Sequence, residues 1–432
     1  EAKDLPVMIG QTMRLVIWQM PFVVLGALIA WFMMPAEWEG LRYPIGIVLL
    51  VFVVMFPLRL FGAVLTGLQD FAFVGRVGII AYLISTAITV VLVLAGWGLY
   101  SLAVGWAVLQ SVTALANFNR LHKNFPTVIP RRLPAMPWLT ARKRFGQGLW
   151  VSLSQIAQVL LNGTDMLIIG KLFGPAAVVP FVITGKLIGV LSNQPQMLMA
   201  AAGPALSEMR MAESRERLAE VCTALSQAVL LLSGGVVCVV LAINQGFVTR
   251  WVGAGQYGGS WLTVLILFSM LLRHWNSSVA YTLFCFGYER RLCLTAVIDG
   301  AVSVGAVFLF VRLYGLVGAP MGMITGACLV SLPANLWARA QESHMSIWEL
   351  LLPLMPWFLR FIILAASILF LSRVWIPNNF LLIGLTASAT AILYFAVMFP
   401  LTLRFPLGQY VRPRLFPLRA RLFRALRAES FS

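Results

Sequence analysis

The sequence predicts an all-α integral membrane protein. It has twelve transmembrane helices in this chain, arranged as two pseudo-symmetric helical lobes around a central cavity. Three observations lead there. Apolar residues make up 60% of the chain and charged residues only 11%, against roughly 25% charged in soluble domains. A soluble fold of 432 residues has no interior large enough for that apolar surface, because burial saturates as domains grow. Apolar runs of about 20 residues, the length that crosses the hydrocarbon core as a helix, recur along the chain, and their pattern repeats.

The runs lie near 12–34, 45–67, 77–96, 100–117, 147–170, 177–203, 221–243, 260–284, 293–311, 317–337, 357–374 and 380–402. Each must be helical, since a lipid-exposed backbone has to satisfy its own hydrogen bonds. The first four spans form an N-terminal lobe over 1–117. Residues 118–145 carry Arg120, Lys123, Arg131, Arg132, Arg142, Lys143 and Arg144 among four prolines, and read as a basic cytoplasmic linker. A C-terminal lobe follows over 146–342, then two additional helices over 343–402. The tail, 403–432, has seven arginines and apolar Leu415, Leu418, Leu422, Phe423 and Leu426 at helical spacing. That pattern predicts an amphipathic segment lying along the membrane surface.

A net charge of +17 first suggests nucleic acid. The basic residues, however, sit in the gaps between apolar runs and in the tail, as cytoplasmic loops facing an anionic leaflet do, and nucleic acid is excluded as a partner. With residue 1 in the cytoplasm, the outer side receives only Arg42, Lys171, Arg250, Arg312 and Arg373. The reverse orientation puts the linker and tail outside, against the positive-inside bias. Both termini of this chain are therefore expected in the cytoplasm. The five cysteines lie in or beside apolar runs without a CxxC, and the three histidines are scattered. Neither a disulfide framework nor a metal site is indicated.

Trp97-Gly98-Leu99 with Gly105 recurs as Tyr314-Gly315-Leu316 with Gly322, and Leu58-Arg59 recurs as Leu272-Arg273. The spans at 12–34 and 221–243 are each followed by a Trp-containing outer loop (Trp38, Trp251). The halves are thus related bundles, as in many transporters. The second half opens with two helices, 147–170 and 177–203, that have no counterpart in the first. Equivalence of the halves implies fourteen spans in the intact protein, with two preceding Glu1.

Asp165-Met166-Leu167-Ile168-Ile169-Gly170 with Gly174, followed by Pro204-Ala205-Leu206-Ser207-Glu208, resembles the opening of a lobe in the polysaccharide-export (O-antigen) flippases. The segment from Tyr314 to Gly322 looks like the start of the sixth helix in that family. The family shares a superfamily with MATE extruders and lipid II flippases. Where it carries a Gly and an aromatic after Gly174, this chain has Val178-Val179-Pro180-Phe181. The resemblance implies a flippase of the bacterial inner membrane that moves undecaprenyl-diphosphate-linked oligosaccharide to the outer leaflet by alternating access. It implies lipid-linked oligosaccharide and membrane lipids as partners, with a polysaccharide polymerase and a chain-length regulator as candidates. No cofactor is expected, and coupling to a proton or sodium gradient is left open.

Such a cargo needs cations for its diphosphate inside a medium that penalises charge, and ionisable groups within spans are functional hypotheses by default. Arg59 and Arg273 sit deep in equivalent helices, and a planar guanidinium can bond two phosphate oxygens at once. Each could instead pair with a carboxylate or carbonyls to hold helices together. Lys186 offers a third charge or snorkels to the surface. Asp165 and Asp299 are coupling or structural acids. Gln155, Gln194 and Asn276, with Asn162 and Gln196, supply uncharged polar groups for sugar or for interhelical bonds. Asp70 with Arg76, and Glu289 with Arg290, form an expected cytoplasmic gate of solvated ion pairs. No Ser/His/Asp set, P-loop or metal spacing is present, so no enzyme is expected. The rivals are a cation-coupled MATE-type extruder, which would line its path with acids, a lipid II flippase, and a membrane polysaccharide polymerase or ligase.

Overall fold

The computed structural model describes residues 5–34, 39–128, 133–212 and 214–413, omitting the side chains of 39, 143, 144, 147, 159–162, 211, 212 and 215. Trp38, Arg131, Arg132 and the apolar stripe of the tail lie outside the described residues, as do the side chains of Asn162, Lys143 and Arg144. Among the described residues all regular structure is helical. The chain forms two compact units, Glu1–Gly146 and Gln147–Ser432.

The first unit holds α1 (Leu5–Phe32), α2 (Glu39–Met55), α3 (Arg59–Gly67), α4 (Phe71–Leu94) and α5 (Leu99–Asn124). Pro57 follows α2, and a residue lacking an N–H cannot continue the ladder. The chain bends there by 51° before α3 resumes. The second unit is built on α6 (Trp138–Phe173), α7 (Pro175–Leu191), α8 (Asn193–Ala212), α9 (Arg215–Trp251), α10 (Ser260–Cys285) and α11 (Glu289–Tyr314). It continues through α12 (Gly318–Gly326), a π-helical turn (Ala327–Ser331) and α13 (Leu332–Ser343), then α14 (Ile347–Leu351), α15 (Met355–Val374) and α16 (Phe380–Thr402).

Several expected boundaries move. Nine helices among the described residues are long and apolar enough to span a membrane, or ten if the bent α2–α3 pair is one span. Two features separate that number from twelve. The segment Glu289–Ser343 runs together as one stretch, and α10 falls outside the set because Arg273, His274 and Asn276 interrupt its apolar run. The expected linker shortens, since α5 continues to Asn124 and α6 begins at Trp138. The two C-terminal helices pack on the rest of the second unit. Trp357, Phe361, Tyr394 and Met398 share one buried cluster with Leu230, Val237 and Leu267, and Tyr394 Oη donates to Leu231 O at 2.8 Å.

The duplicated Gly motif has a backbone reason. Gly98 (φ 52°) and Gly315 (φ 65°) both turn the chain in a left-handed conformation between helices, which only glycine adopts without a Cβ penalty. The following glycines let helices cross closely. A Cβ at Gly105 would meet Thr89 in α4, and one at Gly322 would meet Val307 in α11.

Candidate functional site

Helix α10 organises the site. Its polar middle arises because Arg273, His274, Asn276 and Ser277 follow a mostly apolar start. Ile266, Ser269 and Met270, preceding Arg273, face a cavity of about 690 Å³ that also takes in Lys186, Asp165, Gln158, Asn193 and Gln196. Ala280, Tyr281 and Phe284, following it, face a second cavity of about 300 Å³ lined by Gln155, Asn276, Glu289, Asp299, Ser331 and Asn335. Gln158 and Ser277 line both. Both cavities lie wholly within the second unit.

Arg273 and Asp299 sit where the two cavities meet. Arg273 Nη1 donates to Asp299 Oδ2. Its Nη2 donates to Asp299 Oδ1 at 3.2 Å, to Ser303 Oγ at 3.2 Å and to Met323 O at 3.1 Å. Ser303 Oγ in turn donates to Asp299 Oδ1 at 3.0 Å. The Asp299 side chain is nearly sealed, at 2% exposure, while the Arg273 side chain keeps 20%. Its Nε has no partner. The pair is neutral overall yet polar, with Arg273 lining the larger cavity and Asp299 the smaller. Gly326 permits this, because a Cβ there would meet Ser303 and Asp299. The π-helical turn starts at the next residue, and such turns are frequent at functional sites.

The sequence-predicted residues distribute unevenly. Arg273, Lys186 and Asp165 line the larger cavity together, and Asp165 accepts from Met166 N at 2.8 Å. Gln155, Asn276, Asp299 and Glu289 line the smaller one. Gln194 is exposed and lines neither, while its neighbours Asn193 and Gln196 face the larger cavity; helical phase separates them. Arg59 opens α3 at the helix break, exposed, with its guanidinium 5.1 Å from the Phe52 ring centroid. The expected gate is re-partnered. Asp70 accepts from Arg120 Nε at 2.9 Å, while Arg76 Nε donates to Ala72 O at 3.1 Å. Arg290 lies over the Trp150 ring at 5.5 Å instead of bridging to Glu289, and Arg291 over Trp337 at 4.8 Å. In both cases an aromatic or a residue from another helix outcompetes the sequence neighbour.

Sequence reasoning missed Asn335 and Ser331 in the smaller cavity, and also Arg339, which the loop pattern assigns to the cytoplasm. Arg339 is buried in α13, donating to Ser226 Oγ at 3.1 Å and Thr223 Oγ1 at 2.8 Å. Leu332, Asn335, Leu336 and Arg339 recur at helical spacing on the buried face, the signal that would have found them. His274 is likewise buried beside the larger cavity, its Nδ1 hydrogen-bonded to Ser233 Oγ at 2.7 Å.

A family profile described as polysaccharide biosynthesis protein matches residues 11–261. The fold is similar to that of a MATE protein in a bent conformation, with TM-score 0.60 and 16% identity over 79% of this chain and 77% of the other. It is also similar to lipid II flippase MurJ in an inward closed conformation, with TM-score 0.56 and 10% identity over 92% of this chain and 84% of the other. No protein of curated function matches the chain.

Proposed function

The chain belongs to the family of polysaccharide biosynthesis proteins, and from that premise we propose that it is a membrane flippase for an anionic, lipid-linked oligosaccharide. The cargo is an undecaprenyl-diphosphate-linked repeat unit, moved from the inner to the outer leaflet of a bacterial inner membrane by alternating access. One observation carries the reading: the larger cavity of the second unit presents Arg273 and Lys186 with Asp165 as its acid. A diphosphate inside a membrane protein needs cations, since isolated charge is costly there. Asp299 already holds the fork of Arg273, so a diphosphate would compete with that carboxylate for the guanidinium, while Lys186 supplies the cavity's other cation. The rival of similar fold, an extruder of cationic compounds, needs the opposite balance. The membrane lipid retains the polyprenyl chain, and a polymerase with its chain-length regulator would take the unit on the far side. Coupling to a proton or sodium gradient would act through Asp165 or Asp299.

The test is charge reversal in the full-length protein. Arg273→Glu and Lys186→Glu, made separately, should each lower surface polysaccharide at least tenfold while membrane insertion stays normal. Normal polymer from both variants, with both proteins inserted, overturns the assignment.

A further inference from the structure

The two cavities differ in their charged residues, Arg273 and Lys186 with Asp165 in the larger and Glu289 with Asp299 in the smaller, and the smaller one holds unmet hydrogen-bonding capacity. Ser331 is 3% and Asn335 2% exposed, and both line it. Ser331 Oγ and Asn335 Oδ1 have no partner, although Asn335 Nδ2 donates to Asn276 Oδ1 at 2.8 Å. Buried polar atoms are normally satisfied, so an orphan hydroxyl beside an orphan carbonyl marks a place where something else bonds. Amides of Gln155, Gln158, Asn276 and Asn335 surround them, and the rings of Tyr281 and Phe284, 6.3 Å apart, form an apolar wall. The volume of about 300 Å³ sits at the lower end of the ~300–1,000 Å³ range of small-molecule sites. Amides and hydroxyls facing an aromatic wall suit a ligand with hydroxyls around its rim and an apolar face. That is a sugar ring.

The electrostatics narrow the choice. Asp299 and Glu289 both line this cavity. Asp299 already receives Arg273 and Ser303, so its charge is compensated, and Glu289, which lines the cavity, supplies the negative charge that repels an anion. We infer that the smaller cavity is a subsite for an uncharged or amine-bearing sugar residue adjoining the phosphates, and that it discriminates against acidic sugars. The inference rests on the flippase reading above for its phosphate neighbour. The pair of Arg273 and Asp299 then stands between the two parts of the cargo, Arg273 lining the diphosphate's cavity and Asp299 the sugar's.

Calorimetric titration of the full-length protein in lipid nanodiscs tests this with three probes. These are a short-chain prenyl diphosphate, the same compound carrying N-acetylglucosamine, and the same compound carrying glucuronic acid. In the native protein the N-acetylglucosamine probe should bind at least tenfold tighter than the bare one, and the glucuronate probe no tighter. Within the Ser331→Ala and Asn335→Leu proteins the ratio of sugar to bare affinity should fall to about one; two variants cover the case in which the leucine does not fold. Glu289→Gln should raise the affinity for glucuronate severalfold. Equal affinities for bare and N-acetylglucosamine probes overturn the subsite, as does a sugar gain that persists in both variants. Failure of the bare diphosphate to bind overturns the phosphate reading instead. Methyl N-acetylglucosaminide then reports on the subsite alone, and its binding must disappear in Ser331→Ala.

Discussion

Arg59 in the first unit and Arg273 in the second follow the same Leu-Arg step at corresponding places in the repeat, yet the two units treat them in opposite ways. Arg273 is clamped by Asp299, Ser303 and Met323 O. Arg59 is exposed at a helix break, with Phe52 beneath it and no carboxylate partner among the described residues. The crossing glycines explain why. Gly105 against Thr89 matches Gly322 against Val307, which sets the register of α4 on α11. One turn earlier Ser85 matches Ser303, and two turns earlier Ala81 matches Asp299. Ser85 keeps its hydroxyl but donates to Gly105 O at 2.7 Å, because no acid stands beside it. A duplicated scaffold therefore keeps its backbone crossing while the acid that holds Arg273 has only Ala81 at its counterpart position, and Arg59 itself stands exposed at a helix break. Charge specialises more readily than packing.

The sharpest way to break that comparison is to move the acid. Ala81 is fully buried, so Ala81→Asp should cost about 4 kcal/mol as an uncompensated buried charge, read as a drop in melting temperature in detergent. Unchanged stability would mean that Arg59 reaches α4 and that the units are electrostatically alike. The converse substitution is somewhat milder. Arg273→Gln leaves Asp299 with Ser303 but no cation, and should cost about 3 kcal/mol. Arg59→Gln strands no partner and should stay within about 0.5 kcal/mol. Equal losses from the two would erase the distinction.

The glycine crossings sharpen it further. At Gly322 the obstruction is Val307 backbone, which has no rotamer to escape into, while at Gly105 it is chiefly the Thr89 side chain. Gly322→Ala should therefore cost about 2 kcal/mol by overpacking and Gly105→Ala no more than about 1 kcal/mol. Matched melting curves of the two variants decide it, and a larger loss at Gly105 would show that the first crossing is the tighter.

How much of this was legible in the sequence depends on what each feature requires. Helix positions were legible, because apolar runs of spanning length admit no other backbone. Helix ends were not, since α9 begins at Arg215 and α5 runs on to Asn124, beyond where apolarity marks the hydrocarbon. The repeat was legible through Gly98 and Gly315, whose positive φ leaves little choice of residue. Partners were the weak point. Arg273 and Asp299 stand on different helices, and nothing local in the sequence aims one at the other. Gln194 was named beside Gln196 and Asn193 was left out, because composition finds polar residues in a helix but not their phase. Arg339 lies two residues past the expected span 317–337, although Asn335 one turn away shares its buried face.

The smallest expected effect concerns the re-partnered acid of the first unit. Asp70 accepts from Arg120 with side-chain exposures of 15% and 30%, and the Arg120 guanidinium also lies 4.9 Å from the Phe73 ring centroid. Solvent screens such a pair, and the ring holds the cation in position without it. Asp70→Asn should therefore cost less than about 1 kcal/mol, and the loss should shrink as salt rises from low to molar concentration. Against the roughly threefold larger loss at Arg273→Gln, which a sealed carboxylate makes insensitive to salt, this contrast separates an ion pair that decorates a helix end from one that divides a cavity. A salt-independent loss at Asp70 equal to that at Arg273 would place a buried charge centre in the first unit after all.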